Sequence, residues 1–200
     1  SMSKLAPVIL YILLFTLAVE VIGAVAVYFA IPDGMFAQTR EKVIFAAFHS
    51  VSGFCNGGFT TLRDGLQTPA LLHSDGSIYI VMTVLILAGG IGFPNLVNFK
   101  DAAVEYFRRL KCRLTGVRRT NRRQHIFDLN TKLVLVATGI LFLGGAVCFF
   151  VLEYDHALAG MPLGKKIVQS FFNSATPRTA GFSSLSLSSL SHTMFLIMMF

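Results

Sequence analysis

Apolar residues fall into long, almost uninterrupted runs along the chain. The first extends from Leu5 to Ile31, broken only by Thr16 and Glu20, and Pro32-Asp33-Gly34 ends it with turn chemistry. A second covers Ile78 to Val97 after the polar stretch His73-Ser74-Asp75-Gly76-Ser77, and a third covers Leu133 to Leu152. Each has the ~20 residues that a helix needs to cross a ~30 Å hydrocarbon core. A last apolar stretch, His192 to Phe200, stops short of that length, so the chain is expected to be a piece of a longer protein. Ala24-Val25-Ala26 mimics a signal-peptidase site. The run around it, however, exceeds a ~7 to 15 residue signal core and continues past the site, which favours a retained span.

Between the spans lie two shorter segments, Lys42 to Gly53 and Lys165 to Thr176, each twelve residues long. As helices they would measure ~18 Å, too little to cross. A half-length helix followed by a Gly-containing stretch has the form of a re-entrant loop, which survives at membrane depth only when it is buried in protein or lines water. Taken singly, either segment is better read as an interfacial helix or an ordinary external loop.

Composition agrees with a membrane protein: 54% of residues are hydrophobic and only 14% charged, against about 25% charged in soluble domains. Net charge is +7, which in a soluble chain would suggest nucleic acid. Ten of the 17 basic residues lie between Lys100 and Lys132, against the acids Asp101, Glu105 and Asp128, so this window carries the whole excess. Flanked by apolar runs, it fits the positive-inside rule better than a nucleic-acid surface. With Lys4 and this window inside, residues 32–77 and 153–190 face outside. The window could also bind anionic lipid or a cytosolic subunit. Cys55, Cys112 and Cys148 are odd in number and lack CxxC spacing, so neither a disulfide framework nor a zinc site is expected.

The two short segments are related. Sliding the chain by 123 positions sets Phe48 to Thr61 against Phe171 to Ser184, with Phe48/Phe171, Gly58/Gly181 and Phe59/Phe182 coinciding. The order around each copy is also the same: spanning helix, short helix, Gly-Phe motif, hydroxyl-rich turn, then an apolar run. Such repeats in transport proteins place a site at their interface. Each short helix would aim the negative end of its dipole at the axis. Beyond it, Asn56-Gly57-Gly58 and Thr179-Ala180-Gly181 could turn successive carbonyls to one line, glycine permitting a positive φ. Rings of carbonyl oxygens replace the hydration shell of K⁺. Phe59 and Phe182 are expected to pack outward on the spanning helices and hold that backbone.

These strings, Ser52-Gly53-Phe54-Cys55-Asn56-Gly57-Gly58-Phe59 and Ala175-Thr176-Pro177-Arg178-Thr179-Ala180-Gly181-Phe182, resemble the filter segments of the Trk/Ktr/HKT superfamily of potassium transporters. The bacterial TrkH-type membrane subunit is the closest form, and Arg178 to Phe182 is the most specific stretch. The resemblance covers nearly the whole chain. It implies an all-α integral membrane protein of repeated helix, pore-loop, helix units in a pseudo-fourfold channel-like fold, of which this chain would hold the second and third.

On that basis residues 1–99 form one pore unit, 100–130 a basic cytoplasmic loop, and 131–200 a second pore unit cut off in its last helix. Backbone carbonyls of Asn56, Gly57, Gly58 and Phe59, and of Thr179, Ala180, Gly181 and Phe182, would coordinate the ion. The chain departs from the family at Gly57 and at Pro177, where alanine is common, and neither change removes a carbonyl. The implied activity is potassium uptake across the plasma membrane, a bacterial inner membrane, with K⁺ as cargo, no bound cofactor and no enzymatic step. The remaining pore units, a homodimeric second copy and a cytosolic nucleotide-binding regulatory subunit are the expected partners. The competing reading is a non-conducting membrane assembly protein whose re-entrant segments only pack.

Arg178, just before a cation filter, is expected in a structural ion pair. Glu20, an intramembrane acid, is expected to pair with a neighbouring helix or an arginine, with ion relay as the alternative. His49, Ser50 and Ser52 lack a positioned acid, so catalysis is not expected. Gly89-Gly90-Ile91-Gly92 would permit close helix approach, and Pro94 could kink the second span.

Overall fold

The computed structural model describes residues 5–92 and 129–198. Pro94 and nearly all of the basic window lie outside the described residues, and with them the expected kink and cytoplasmic loop. Regular structure among the described residues is helical: α1 (Leu5–Ala30), α2 (Thr39–Phe54), a 3₁₀ turn (Gly65–Gln67), α3 (Pro69–Leu72), α4 (Ser77–Gly90), α5 (Leu129–Leu152), α6 (Leu163–Thr179), a second 3₁₀ turn (Leu187–Ser189) and α7 (His192–Met198). Residues 1–90 and 141–200 make one compact unit and residues 91–140 another. The second contributes Ile91 and Gly92, just after α4, and the helical residues 129–140 to the described structure. The packing that follows belongs to the first.

Among the described residues, helices α1 and α5 contain the two segments long and apolar enough to cross a membrane, Ile9–Ala30 and Thr131–Leu152. Many of their apolar side chains point outward: Leu13, Leu17 and Ile22 on α1, and Leu143 and Val147 on α5, are all more than half exposed, while Val27 and Phe149 are buried. A core helix of a soluble protein would bury that surface, whereas a lipid-facing helix presents it to hydrocarbon.

Within the second run, the described helix ends before the apolar residues do. Helix α4 is 14 residues long, ending at Gly90, and residues 93–97 lie outside the described part. Glycine is the physical reason for the early end, because Gly92 takes φ +84°, a left-handed conformation that closes helices. The start of α4 is better defined. The Ser77 N–H and hydroxyl donate to one Asp75 carboxylate oxygen at 3.1 and 2.8 Å, and these bonds, the backbone one first, hold that carboxyl below its usual range.

The two expected short helices are each a turn longer than the pattern suggests, with 16 residues in α2 and 17 in α6. Pro177 is accommodated in the last turn of α6. Each short helix docks on the spanning helix before it through the same device. On α2, Ser50 Oγ donates to the Glu20 carbonyl at 2.7 Å, and Gly23 makes room, since a Cβ there would fall 2.3 Å from that oxygen. On α6, Ser174 Oγ donates to the Phe142 carbonyl at 2.7 Å, and a Cβ on Gly145 would fall 2.5 Å from it. Small residues with a hydroxyl-to-backbone bond are how helices associate where no hydrophobic drive separates protein from lipid.

Two further features pin the turns of the second copy. The fully buried Glu153 carboxylate accepts from the Ser191 N–H at 3.0 Å and from the Ser191 hydroxyl. That hydroxyl in turn accepts from Met194 N–H in the first turn of α7. Lys165 Nζ donates to the carbonyls of His73 at 2.9 Å and Leu72 at 3.3 Å, tying α6 to the loop before α4.

Candidate functional site

The depth at which the short helices stop follows from where they dock. Ser50 reaches α1 at Glu20, and Ser174 reaches α5 at Phe142. Glu20 precedes the end of α1 by ten residues, as Phe142 precedes the end of α5, which is about 15 Å along either axis. Half of a ~30 Å hydrocarbon layer is the same distance.

Both helices then close with matching chemistry. Gly57 N–H donates to Ser52 O and Gly181 N–H to Thr176 O, each at 2.8 Å and each spanning five residues. Next, the Ser52 hydroxyl donates to the Phe59 carbonyl and the Thr176 hydroxyl to the Phe182 carbonyl, both at 2.8 Å. Gly58 (φ +70°) and Gly181 (φ +76°), 123 apart in the chain, share the left-handed conformation that disfavours any residue with a Cβ. The first loop holds one residue more between hydroxyl and phenylalanine than the second. Asn56, at φ +53°, is the one non-glycine with positive φ among the described residues, and asparagine tolerates it.

The Ser52 and Thr176 braces make a measurable difference. Thr176→Val leaves the Phe182 carbonyl unpaired at a buried site, and should lower stability by about 1–2 kcal/mol. Ser52→Ala, at a part-buried brace, should cost about 1 kcal/mol or less. Thermal melts of the detergent-solubilised protein check the order, and a larger loss for Ser52→Ala would contradict it.

The two turns touch one another. A Cβ on Gly58 would lie 2.0 Å from the Ala180 carbonyl oxygen, so only glycine lets the segments approach this closely. Gln67 Nε2 donates to Ser183 Oγ at 2.8 Å. The buried His49 ring lies between the two copies. Its Nδ1 pairs with Phe45 O and its Nε2 with Thr60 Oγ1, both at 2.9 Å, and the Phe182 ring stacks 6.5 Å from it. Both ring nitrogens are thus engaged within the fold.

The expected packing of the two phenylalanines needs correction. Phe182 is buried and stacks on His49 of the other copy's short helix. Phe59 is 70% exposed. Its ring lies over Gly57 of its own turn, where an added Cβ would fall 3.2 Å from it.

Asn56 joins more groups than any other residue of the two turns. With its amide turned to suit its partners, the nitrogen donates to Ile86 O at 3.1 Å and to Thr179 Oγ1 at 3.2 Å, and the oxygen accepts from Gly90 N–H at 3.1 Å. Asn56 and Thr179 are the equivalent positions of the 123-residue repeat. Glu20, the intramembrane acid, accepts from the Cys55 thiol at 3.6 Å. Arg178 lines a cavity of about 480 Å³ with Cys148, Ser174 and Met198. Sequence reasoning missed the docking serines, although their signal was present: Gly23 and Gly145 are 122 apart and Ser50 and Ser174 are 124 apart, close to the repeat spacing.

Two exposed apolar helices of spanning length, two shorter helices docked on them through the same contact, and two Gly-Phe turns that touch define, among the described residues, a helical protein of the multi-pass membrane class. Over residues 1–200 the chain matches the family model TrkH, described as a cation transport protein, and it belongs to that family. It is 33% identical to the potassium/sodium uptake protein NtpJ of Enterococcus hirae, over 100% of this chain and 39% of that protein. It is 30% identical to the Ktr system potassium uptake protein B of Bacillus subtilis, over 88% of this chain and 35% of that one. With the protein of the same name from Vibrio alginolyticus it shares 29% identity over 94% of this chain and 37% of the relative. The chain thus spans under two fifths of the length of these relatives.

Proposed function

We propose that this chain supplies two of the four pore units of a potassium uptake transporter. Backbone carbonyls of Asn56, Gly57, Gly58 and Phe59 and of Thr179, Ala180, Gly181 and Phe182 form half of a selectivity filter. The observation that carries this reading is the meeting of the two repeat-related turns, Gly58 against the Ala180 carbonyl and Asn56 against Thr179. Oxygen-rich backbone at about half depth is the chemistry that strips and replaces the hydration shell of a cation. The Phe59 and Phe182 carbonyls take part through their second lone pair, one being occupied by a hydroxyl. The names of the relatives, potassium uptake proteins of Ktr systems, support K⁺ as the cargo and permeation, not catalysis, as the activity.

The rest of the proposed assembly comprises the other pore units, a second copy in a homodimer, and a cytosolic nucleotide-binding regulatory subunit on the basic segment. Arg178 is proposed to brace its loop through an ion pair.

Uptake of K⁺ by cells lacking their own potassium transporters tests the reading. The full-length reading frame should restore uptake, and the 200-residue chain alone should not. Silence from the full-length protein, with the protein present in the membrane, would favour the non-conducting assembly reading.

A further inference from the structure

The Asn56 side chain bridges three elements that a filter must keep in register. The Ile86 carbonyl and the Gly90 N–H that it engages are the two groups that an i to i−4 bond of α4 would join. The carboxamide therefore acts as a spare peptide unit laid against the last turn of that helix. Its third bond, to Thr179 Oγ1, crosses to the equivalent position of the other copy. Glycine at 89 permits this approach: a Cβ there would lie 3.0 Å from the Asn56 carboxamide and 1.8 Å from the Phe54 carbonyl, whereas one on Gly90 would sit in ordinary contact with both Asn56 and Thr179.

The second copy lacks an amide clasp of its own, since Thr179 occupies the matching position. The two positions also differ in backbone: Asn56 has a positive φ, whereas Thr179 is the last residue of α6. One side chain thus ties the end of α4, the first turn and the second turn together.

We infer that Asn56 is a positioning residue for ion selection: its carboxamide, clasped to Ile86, Gly90 and Thr179, fixes the spacing of the two filter segments and thereby sets the preference for K⁺ over Na⁺. This rests on the proposed filter. Discrimination between cations depends on how far carbonyl oxygens can yield around the smaller ion, whether through cavity size or through the number and field of the dipoles. A cross-link at the foot of both segments limits that yielding in either case.

The test uses the full-length protein in potassium-transport-deficient cells, with uptake normalised to the amount of protein in the membrane. Asn56→Gly keeps the left-handed backbone and removes the clasp. The ratio of KM for Na⁺ to KM for K⁺ should fall about tenfold, the size of effect that one or two lost net hydrogen bonds produce. Thr179→Val should lower the ratio in the same direction and add little on the Asn56→Gly background, because the Asn56–Thr179 bond it removes is already gone there. Thr179→Ser, which keeps the hydroxyl, should recover most of what Thr179→Val loses.

An unchanged ratio in Asn56→Gly, or fully additive effects of the two changes, would overturn the inference while leaving potassium uptake by the wild type intact. Failure of the wild type to transport would instead strike the filter reading itself. Should Asn56→Gly not reach the membrane, the contrast between Thr179→Val and Thr179→Ser decides: equal ratios in the two overturn the inference.

Discussion

Gly58→Val should lower the stability of the protein by about 4 kcal/mol or more and abolish its potassium uptake, read by thermal melting in detergent and by ion flux in transporter-deficient cells. Two independent terms act at this position. The left-handed φ of +70° alone costs a residue with a Cβ roughly 1–2 kcal/mol. The second term is steric: the new Cβ would fall 2.0 Å from the Ala180 carbonyl oxygen and 3.2 Å from its carbon, and backbone on the opposing turn has no rotamer by which to escape.

Gly181 separates the two terms. It shares the conformation, at φ +76°, but a Cβ there meets nothing within 4 Å. Gly181→Ala should therefore lose only about 1–2 kcal/mol, and Gly58→Ala distinctly more. Equal losses would mean that the turns are not in contact.

The second large effect is expected at Gly89, where the sign is diagnostic. In a free helix, exchanging glycine for alanine stabilises by about 1 kcal/mol. At Gly89 the added Cβ would lie 1.8 Å from the Phe54 carbonyl oxygen and 2.8 Å from its carbon. Gly89→Ala should consequently destabilise by about 3 kcal/mol or more, by forcing the end of α2 away from α4. Denaturant or thermal unfolding in detergent reports it, and a variant as stable as the wild type would remove the close approach from consideration.

How much of this was legible in the sequence depended on the range of the forces involved. Apolar length located α1 and α5, and the 123-residue repeat located α2, α6 and the two turns, because burial and backbone conformation leave marks in composition. The early end of α4 was hidden. The run continues apolar to Val97, and hydropathy does not register that glycine at 89, 90 and 92 serves approach and termination. The Asn56 clasp was invisible for a related reason: an asparagine beside two glycines suggests a turn, and only the fold shows that its partners lie about 30 and 123 residues away. Phe59 and Phe182 match in sequence but not in surroundings: His49 stacks on Phe182, while Phe59 stays 70% exposed among the described residues.

The paired serine-glycine docking sites bear on how such a protein is made. Gly23 and Ser50 are 27 residues apart and Gly145 and Ser174 are 29 apart, so each contact closes within a single repeat. A spanning helix already inserted in the bilayer carries the notch for the short helix that leaves the ribosome next. Since domains fold as units during synthesis and short-range contacts form fastest, each repeat can seat its own half-length helix before the next repeat is translated. Only the meeting of the two glycine turns must wait until both have arrived.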